Sequence, residues 1–124
     1  TIDGSNFGGD IDLHTLSSSG SMTFALGSGA EFSAGNVSLA GGNFVLDGSN
    51  GQTAEVSLLD ISGSGSVTIS LGGGSGTVSA GVIGAGKNFT MDAGSSGAKY
   101  DFHSISGSGN VTVSLGSTGI ITPT

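Results

Sequence analysis

The sequence predicts an all-β fold, a parallel β-solenoid (β-helix) of about six 22-residue rungs. The first observation is a repeat: segments 61–71 and 105–115 are nearly identical and stand 44 residues apart, and a fainter copy spans 16–26. Sliding the sequence by half that interval aligns 67–69 with 89–91, so the unit is about 22 residues long. The second observation is that each unit alternates apolar and polar residues in short stretches between Gly- and Ser-rich turns, as β-strands do.

The elements follow in the same order in every unit. A first stretch has apolar first, third and fifth positions, as in segment 67–71, and a Gly/Ser turn follows it. A second alternating stretch (Val78, Ala80), one aliphatic residue (Ile83) and another Gly-rich turn complete the unit. A unit this small cannot bury its apolar face alone, but units stacked about 4.8 Å apart form a continuous core.

We expect a single repeat domain over residues 1–124, with units that start near 1, 21, 43, 66, 88 and 110. The unit that starts at Asn43 has one extra residue, which we place in the corner at 49–53. Because the first residue is Thr1, we expect a processed product or part of a longer chain. Two inward columns are predicted: Ile2, Phe24, Leu46, Ile69, Met91 and Val113 in one, and Ile11, Val56, Val78 and Tyr100 in the other.

An antiparallel sandwich is the alternative fold, because it also has short strands separated by frequent turns. It gives no reason for the same side chain to recur at the same place in every unit, so the repeat favours the solenoid.

Composition excludes several classes of partner. The net charge is −7 and there are two Lys and no Arg, so we expect no nucleic acid partner. No apolar run approaches the length of a membrane span, so we expect no membrane insertion. Cysteine is absent, which excludes disulfides and thiolate chemistry and suits large bacterial proteins that fold outside the cell.

Segments 61–71 and 105–115, together with Asn88-Phe-Thr-Met-Asp-Ala, resemble the repeats of bacterial surface-layer proteins and of adhesins exported by type I secretion. The resemblance implies an extracellular, acidic, often calcium-dependent β-solenoid with a structural role at the cell surface. The calcium-binding nonapeptide Gly-Gly-x-Gly-x-Asp of that family does not recur here, and the nearest fragment is segment 8–12. Calcium at every turn is therefore not expected.

One candidate metal site remains. Asp3, Asp10 and Asp12 are predicted to converge with carbonyls of Gly8 and Gly9, and calcium is the one cofactor that this set would suit. Asp3, Asp47 and Asp92 also share an outward column on alternate units. Two rungs separate these neighbours by about 9.6 Å, too far to share one ion, so alternation that separates like charges is the favoured interpretation.

Two Asp-x-His pairs recur, Asp12 with His14 and Asp101 with His103. Residues i and i+2 share one side of a strand, but two ligands do not form a zinc site and no nucleophile accompanies them. We predict surface hydrogen bonds, no catalytic residues and no enzymatic activity.

Two further columns have competing interpretations. Thr1, Thr23, Thr68, Thr90 and Thr112 form an outward row that resembles ice-binding faces, although Thr is also simply a good strand residue. A second column contains Asn43, Asn88 and Asn110 with Ser21 and Ser66, which favours a turn residue that tolerates left-handed geometry. Glycosylation at Asn36, Asn88 or Asn110 stays open, since all three match the Asn-x-Ser/Thr pattern.

The sequence therefore predicts a structural, extracellular protein that self-associates into a layer, fibre or adhesin stalk. The alternative is an adhesin module that recognises carbohydrate or, less well supported, ice on an exposed strand face. A polysaccharide-processing enzyme is a third class, disfavoured because no basic residue accompanies the carboxylates. Neither end of the predicted stack carries a cap, so we expect the ends to pair with further rungs.

Overall fold

The computed structural model describes residues 1–4, 6, 8–48, 55–71, 77–92, 99–114 and 120–123. Within these ranges every regular element is a β-strand, and the strands form two six-stranded sheets. Odd-numbered strands form the first sheet and even-numbered strands the second, and all neighbouring strands are parallel. The strands are β1 (Ile2–Gly4), β2 (Ile11–Ser18), β3 (Met22–Leu26), β4 (Glu31–Leu39), β5 (Phe44–Gly48), β6 (Glu55–Gly63), β7 (Val67–Leu71), β8 (Thr77–Ala85), β9 (Phe89–Asp92), β10 (Lys99–Gly107), β11 (Val111–Ser114) and β12 (Ile120–Pro123).

The chain alternates between the two sheets, so each repeat unit supplies one strand to each of them. The predicted parallel β-solenoid is therefore confirmed, and the antiparallel sandwich is excluded by the parallel pairing of every strand. The four units that start near residues 21, 43, 66 and 88 have neighbours on both sides in both sheets. The first and last units supply the outermost described strands, so about four turns are fully enclosed.

The first sheet contains the predicted inward column. Ile2 pairs with Phe24, and the pairing continues residue by residue to Val113. Phe24, Leu46, Ile69 and Met91 are buried, whereas the column is more exposed at its two ends. Identical apolar positions stack because each rung offers its neighbour the same pleat position, and this builds one continuous core.

The long strands of the second sheet contain a break in the alternation of inward and outward side chains. We call this break a change of phase, and the sequence did not reveal it. In β8, Val78 and Ala80 are buried, the next two residues turn outward, and Ile83 and Ala85 are buried again. What looked like a strand, a gap and an isolated aliphatic residue is one nine-residue strand.

At this change of phase, Gly81 permits a close approach to Leu59 of the preceding rung. A Cβ atom there would lie 2.2 Å from the main-chain oxygen of Leu59 in the preceding rung, closer than any real contact allows. Gly84 is in the same strand, and its nearest neighbour would be 3.7 Å away, an ordinary distance. The close approach of the two rungs therefore requires glycine at position 81, whereas position 84 has room for a Cβ atom.

The predicted inward column of the second sheet was incomplete, because it omitted Phe32. Phe32 pairs with Ile11 on one side and with Val56 on the other, and its side chain is fully buried. Its ring lies 5.0 Å from that of Phe24 across the core. A constant 22-residue step from Ile11 or Val56 misses Phe32, because the turns between the sheets differ in length.

The extra residue of the unit that starts at Asn43 was assigned to 49–53, which lies outside the described residues. The strand register nevertheless limits where the extra residue lies. Gly48 pairs with Leu71, a step of 23, whereas Glu55 pairs with Thr77, a step of 22. The length change therefore falls between Gly48 and Glu55, as predicted.

Candidate functional site

The outward face at the start of the long strands carries a row of acidic residues. Glu31 and Glu55 are direct partners in neighbouring strands, and Asp10 immediately precedes Ile11, the partner of Phe32. Asp10, Glu31 and Glu55 therefore follow one another along three successive rungs and are all exposed. We call these three residues the acidic row. Like charges on neighbouring strands repel, so the row maintains a local negative potential at some cost in stability.

The acidic row borders a groove with hydroxyl groups along it. Asp12, Ser33 and Ser57 occupy the next outward column, and these residues line the groove together with the acidic row. Glu31 and Glu55 were not singled out from the sequence, because a constant 22-residue step does not align them. The step of 24 residues between β4 and β6 is visible only in the register.

The structure places the three predicted calcium ligands on two different sheets. Asp3 lies in β1 of the first sheet, Asp12 lies in β2 of the second, and Asp10 directly precedes β2. Among the residues that the structure describes, no group of three or more His, Asp or Glu side chains is arranged to hold a metal ion. Calcium binding by Asp3, Asp10 and Asp12 stays a prediction.

The alternating Asp column is confirmed. Asp3 pairs with Ala25, which pairs with Asp47, and the column continues through Ser70 and Asp92 to Ser114. Every Asp has an uncharged residue beside it on each occupied side. The arrangement keeps carboxylates two rungs, or about 9.6 Å, apart and so lowers their mutual repulsion.

The two Asp-x-His pairs lie on the outward side of the second sheet, as predicted. Asp12 and Asp101 belong to one column, separated by Ser33, Ser57 and Ser79. Four strand spacings place the two pairs about 19 Å apart, so they do not form one site. His14 and His103 are both exposed, and nothing in their setting excludes water from a reaction.

The threonine row is confirmed over four of its five predicted members. Thr23, Thr68, Thr90 and Thr112 share a column that Val45 interrupts. Thr1 directly precedes the first paired residue, Ile2. Asp47 and Asp92 lie in the adjacent column of the same face, so its pattern of hydroxyl and methyl groups is broken by charge at every second rung.

The Asn and Ser column at the corner has a role that sequence reasoning missed. The backbone N–H of each member donates to the side-chain oxygen of the preceding one: Asn43 to Ser21 at 3.1 Å, Ser66 to Asn43 at 2.9 Å, Asn88 to Ser66 at 3.4 Å and Asn110 to Asn88 at 3.0 Å. We call this series the corner ladder. It explains the choice of Asn or Ser, whose side chains carry an oxygen acceptor at short reach.

The corner ladder also has a direction. In all four bonds the oxygen comes from the earlier rung and the N–H from the later one. The two ends of the stack are therefore chemically different along this edge. Asn88 and Asn110 of the glycosylation pattern are part of the ladder, whereas Asn36 is exposed beside the phase change of β4.

The outermost described strands expose residues that are buried elsewhere in the same columns. Ile2 is 46% exposed, whereas its partner Phe24 is 2% exposed. Val111 is 50% exposed, whereas its partner Phe89 is fully buried. Both are positions where a further rung would complete the core, and such open strand edges are templates for pairing.

Comparison with protein-family models, with curated proteins and with solved structures gives no match to this chain. In the part of the chain that the structure describes, no helix is long and apolar enough to cross a membrane.

Proposed function

We propose that this protein is a structural, extracellular surface protein that self-associates into a layer, fibre or adhesin stalk. The observation that carries the proposal is that equivalent residues stack in one column through the described rungs, as from Phe24 through Leu46 and Ile69 to Met91, so each rung offers the same surface to the next. A repeat stack whose ends present the same surfaces as its interior is suited to extension by further rungs. Association of unlike ends that does not close into a ring propagates as a filament.

Charge supports an assembly that responds to ions. The chain has nine acidic residues and only two lysines. Seven of the nine acidic residues precede residue 65. Copies would repel one another at low ionic strength, and salt or divalent cations would screen that repulsion. The resemblance to surface-layer and type I-secreted repeats and the absence of cysteine support an extracellular location. The proposal assigns no reaction to the protein.

Carbohydrate recognition on a strand face remains the alternative function. The groove beside the acidic row offers hydroxyl and carboxylate groups that can hydrogen-bond to a sugar. However, the four described Phe side chains, Phe24, Phe32, Phe44 and Phe89, are all buried, so they offer no exposed ring for a sugar to stack on. Self-association therefore has the stronger support.

The test is particle size by light scattering across calcium and salt titrations, with electron microscopy of the same samples. Growth of ordered filaments or layers as salt or calcium rises is the expected result. The double variant Glu31→Gln/Glu55→Gln is a matched control for charge, because removing two carboxylates should shift assembly to lower salt. A compact monomer at every condition and concentration, together with saturable binding to a glycan, would instead support the alternative.

A further inference from the structure

We infer that two copies of this chain pack face to face through the outward side of the second sheet, about a two-fold axis that runs parallel to the strands between β6 and β8. This inference rests on the proposed self-association and specifies its partner, a second copy, and the face in contact. Rotation about this axis keeps the direction of the strands and reverses the order of the rungs. β6 of each copy therefore lies opposite β8 of the other, and β4 lies opposite β10.

The first observation is an apolar patch in the middle of the second sheet. Leu59 in β6 is 64% exposed and Val82 in β8 is 43% exposed. The two are diagonal neighbours, because Asp60 pairs with Val82 and Leu59 lies beside Gly81. Both strands have neighbours on both sides, so the exposure does not come from an open edge of the stack. Adjoining exposed aliphatic side chains are typical of an interaction surface.

The second observation is that large residues alternate with glycine in the column of Leu59. At the change of phase, successive strands carry His14, Gly35, Leu59, Gly81 and His103. The proposed axis places Leu59 opposite Gly81 of the other copy, and His103 opposite Gly35. Each of these large side chains then meets a strand that has no side chain at the facing position. An axis that passed through a rung would instead set large residues against large ones and glycine against glycine.

The same axis brings the apolar patches together. Because columns lie opposite themselves, Leu59 of one copy comes beside Val82 of the other, and the rotation repeats this contact. Four aliphatic side chains therefore meet at the axis and leave water together, which favours association. An axis between β8 and β10 would place Leu59 two rungs away from Val82 of the other copy and lose this contact.

The third observation is charge, which separates this axis from its neighbour on the acidic side. Each of the six carboxylates on this described face lies opposite the position of an uncharged residue or a lysine: Asp10 opposite Ile120, Asp12 opposite Thr122, Glu31 opposite Lys99, Glu55 opposite Thr77, Asp60 opposite Val82, and Asp101 opposite Ser33. An axis between β4 and β6 would instead oppose Glu31 with Glu55. Like charges across an interface are unfavourable, so the acidic row selects the axis between β6 and β8.

The face is large enough for a stable contact. Strands β4, β6, β8 and β10 have nine residues each, which is about 30 Å of length, and the five strands from β2 to β10 cover about 24 Å along the stack. Two such faces would bury about 1,400 Å² in total, within the range of specific protein interfaces. Because the contact is two-fold, it uses the same face on both copies and leaves the rest of each stack available for other contacts.

Cross-linking through a single cysteine tests the axis, because the chain has no cysteine of its own. Ser57 and Ser79 are exposed on this face in β6 and β8, so the fold should tolerate Ser57→Cys and Ser79→Cys. Packed sheets lie about 10 Å apart, so the two copies of residue 57 would have Cα atoms about 11 Å apart across the axis, and so would those of residue 79. A bis-maleimide reagent matched to this span should convert each variant to a covalent dimer under assembly conditions.

The matched control is Ser33→Cys, which lies in the same column one rung further from the axis. Its two copies would be about 17 Å apart, beyond the reach of the same reagent. We expect little or no covalent dimer from this variant. Each variant carries one cysteine, so a covalent dimer must join two copies.

Leu59→Gln tests the contact by an independent measurement. Because Leu59 is largely exposed, the variant should fold normally, and its circular dichroism checks this. The dimer dissociation constant from sedimentation equilibrium should rise at least about tenfold, since the central apolar contact is lost. Thr68→Gln, on the outward face of the first sheet, is the matched control and should leave the dissociation constant unchanged.

The outcomes separate this inference from the proposed function. Growth in light scattering without a covalent dimer from Ser57→Cys or Ser79→Cys would overturn the two-fold contact and leave self-association standing. Equal cross-linking of Ser33→Cys would overturn the position of the axis. A monomer under all salt and calcium conditions would overturn both proposals. If that monomer bound oligolysine, and Leu59→Gln weakened the binding, the face would belong to a cationic partner instead.

Discussion

Ile69 lies directly beside Met91 in the neighbouring parallel strand, and both side chains are completely buried. Thr68, one residue earlier, turns outward and is half-buried beside Thr90. We therefore expect the two faces of this strand to differ sharply in their tolerance of a charged side chain.

Ile69→Asp should destabilise the protein by at least about 3 kcal/mol, because it buries an unpaired carboxylate between two rungs. Thr68→Asp should cost about 1 kcal/mol or less, since its side chain reaches water. Urea unfolding followed by circular dichroism measures both changes. Equal losses for the two variants would show that the inward and outward faces are misassigned.

Gly81→Ala should destabilise the protein by about 2 kcal/mol or more, because the new methyl group would overlap the main-chain oxygen of Leu59. Gly84→Ala in the same strand is the matched control. Its methyl group meets only ordinary contacts, so it should be neutral or slightly stabilising. Thermal unfolding of both variants tests the close approach of the rungs, and a similar melting temperature for the pair would contradict it.

Asn43→Ala removes the oxygen that accepts the hydrogen bond from the backbone N–H of Ser66. The expected loss is about 1 kcal/mol in the free energy of unfolding. Asn43→Ser should recover most of this loss, because Ser21 and Ser66 fill the same place in the corner ladder. The ladder would have no energetic role if the Ala and Ser variants unfolded at the same urea concentration.

Glu31 and Glu55 are partners in neighbouring strands, so Glu55→Lys replaces a pair of like charges by a pair of opposite charges. We expect a gain of about 0.5 kcal/mol at low salt, with Glu55→Gln intermediate. High salt should remove most of the difference, since both side chains are exposed and screened. Melting temperatures at low and high ionic strength test this, and a gain that is unaffected by salt would point to packing rather than charge.

The sequence by itself favoured the parallel solenoid, because side chains that recur at a fixed step can stack on their own copies in successive rungs. The step of 22 or 23 residues in the first sheet, from Phe24 to Leu46 to Ile69, was readable because these strands keep a constant place in each unit. The alternating Asp column and the outward Thr row followed from the same step.

Only the tertiary structure showed which residues pair with one another in the second sheet. There the step is 21 residues from Ile11 to Phe32 and 24 from Phe32 to Val56. Turns tolerate insertions at little cost, so they change the spacing without leaving a pattern in the strands. The burial of Phe32 in the core and the pairing of Glu31 with Glu55 could consequently not be predicted from the sequence. The corner ladder was hidden for a related reason: a hydrogen bond between rungs depends on how closely two distant corners approach, which no local pattern of residues records.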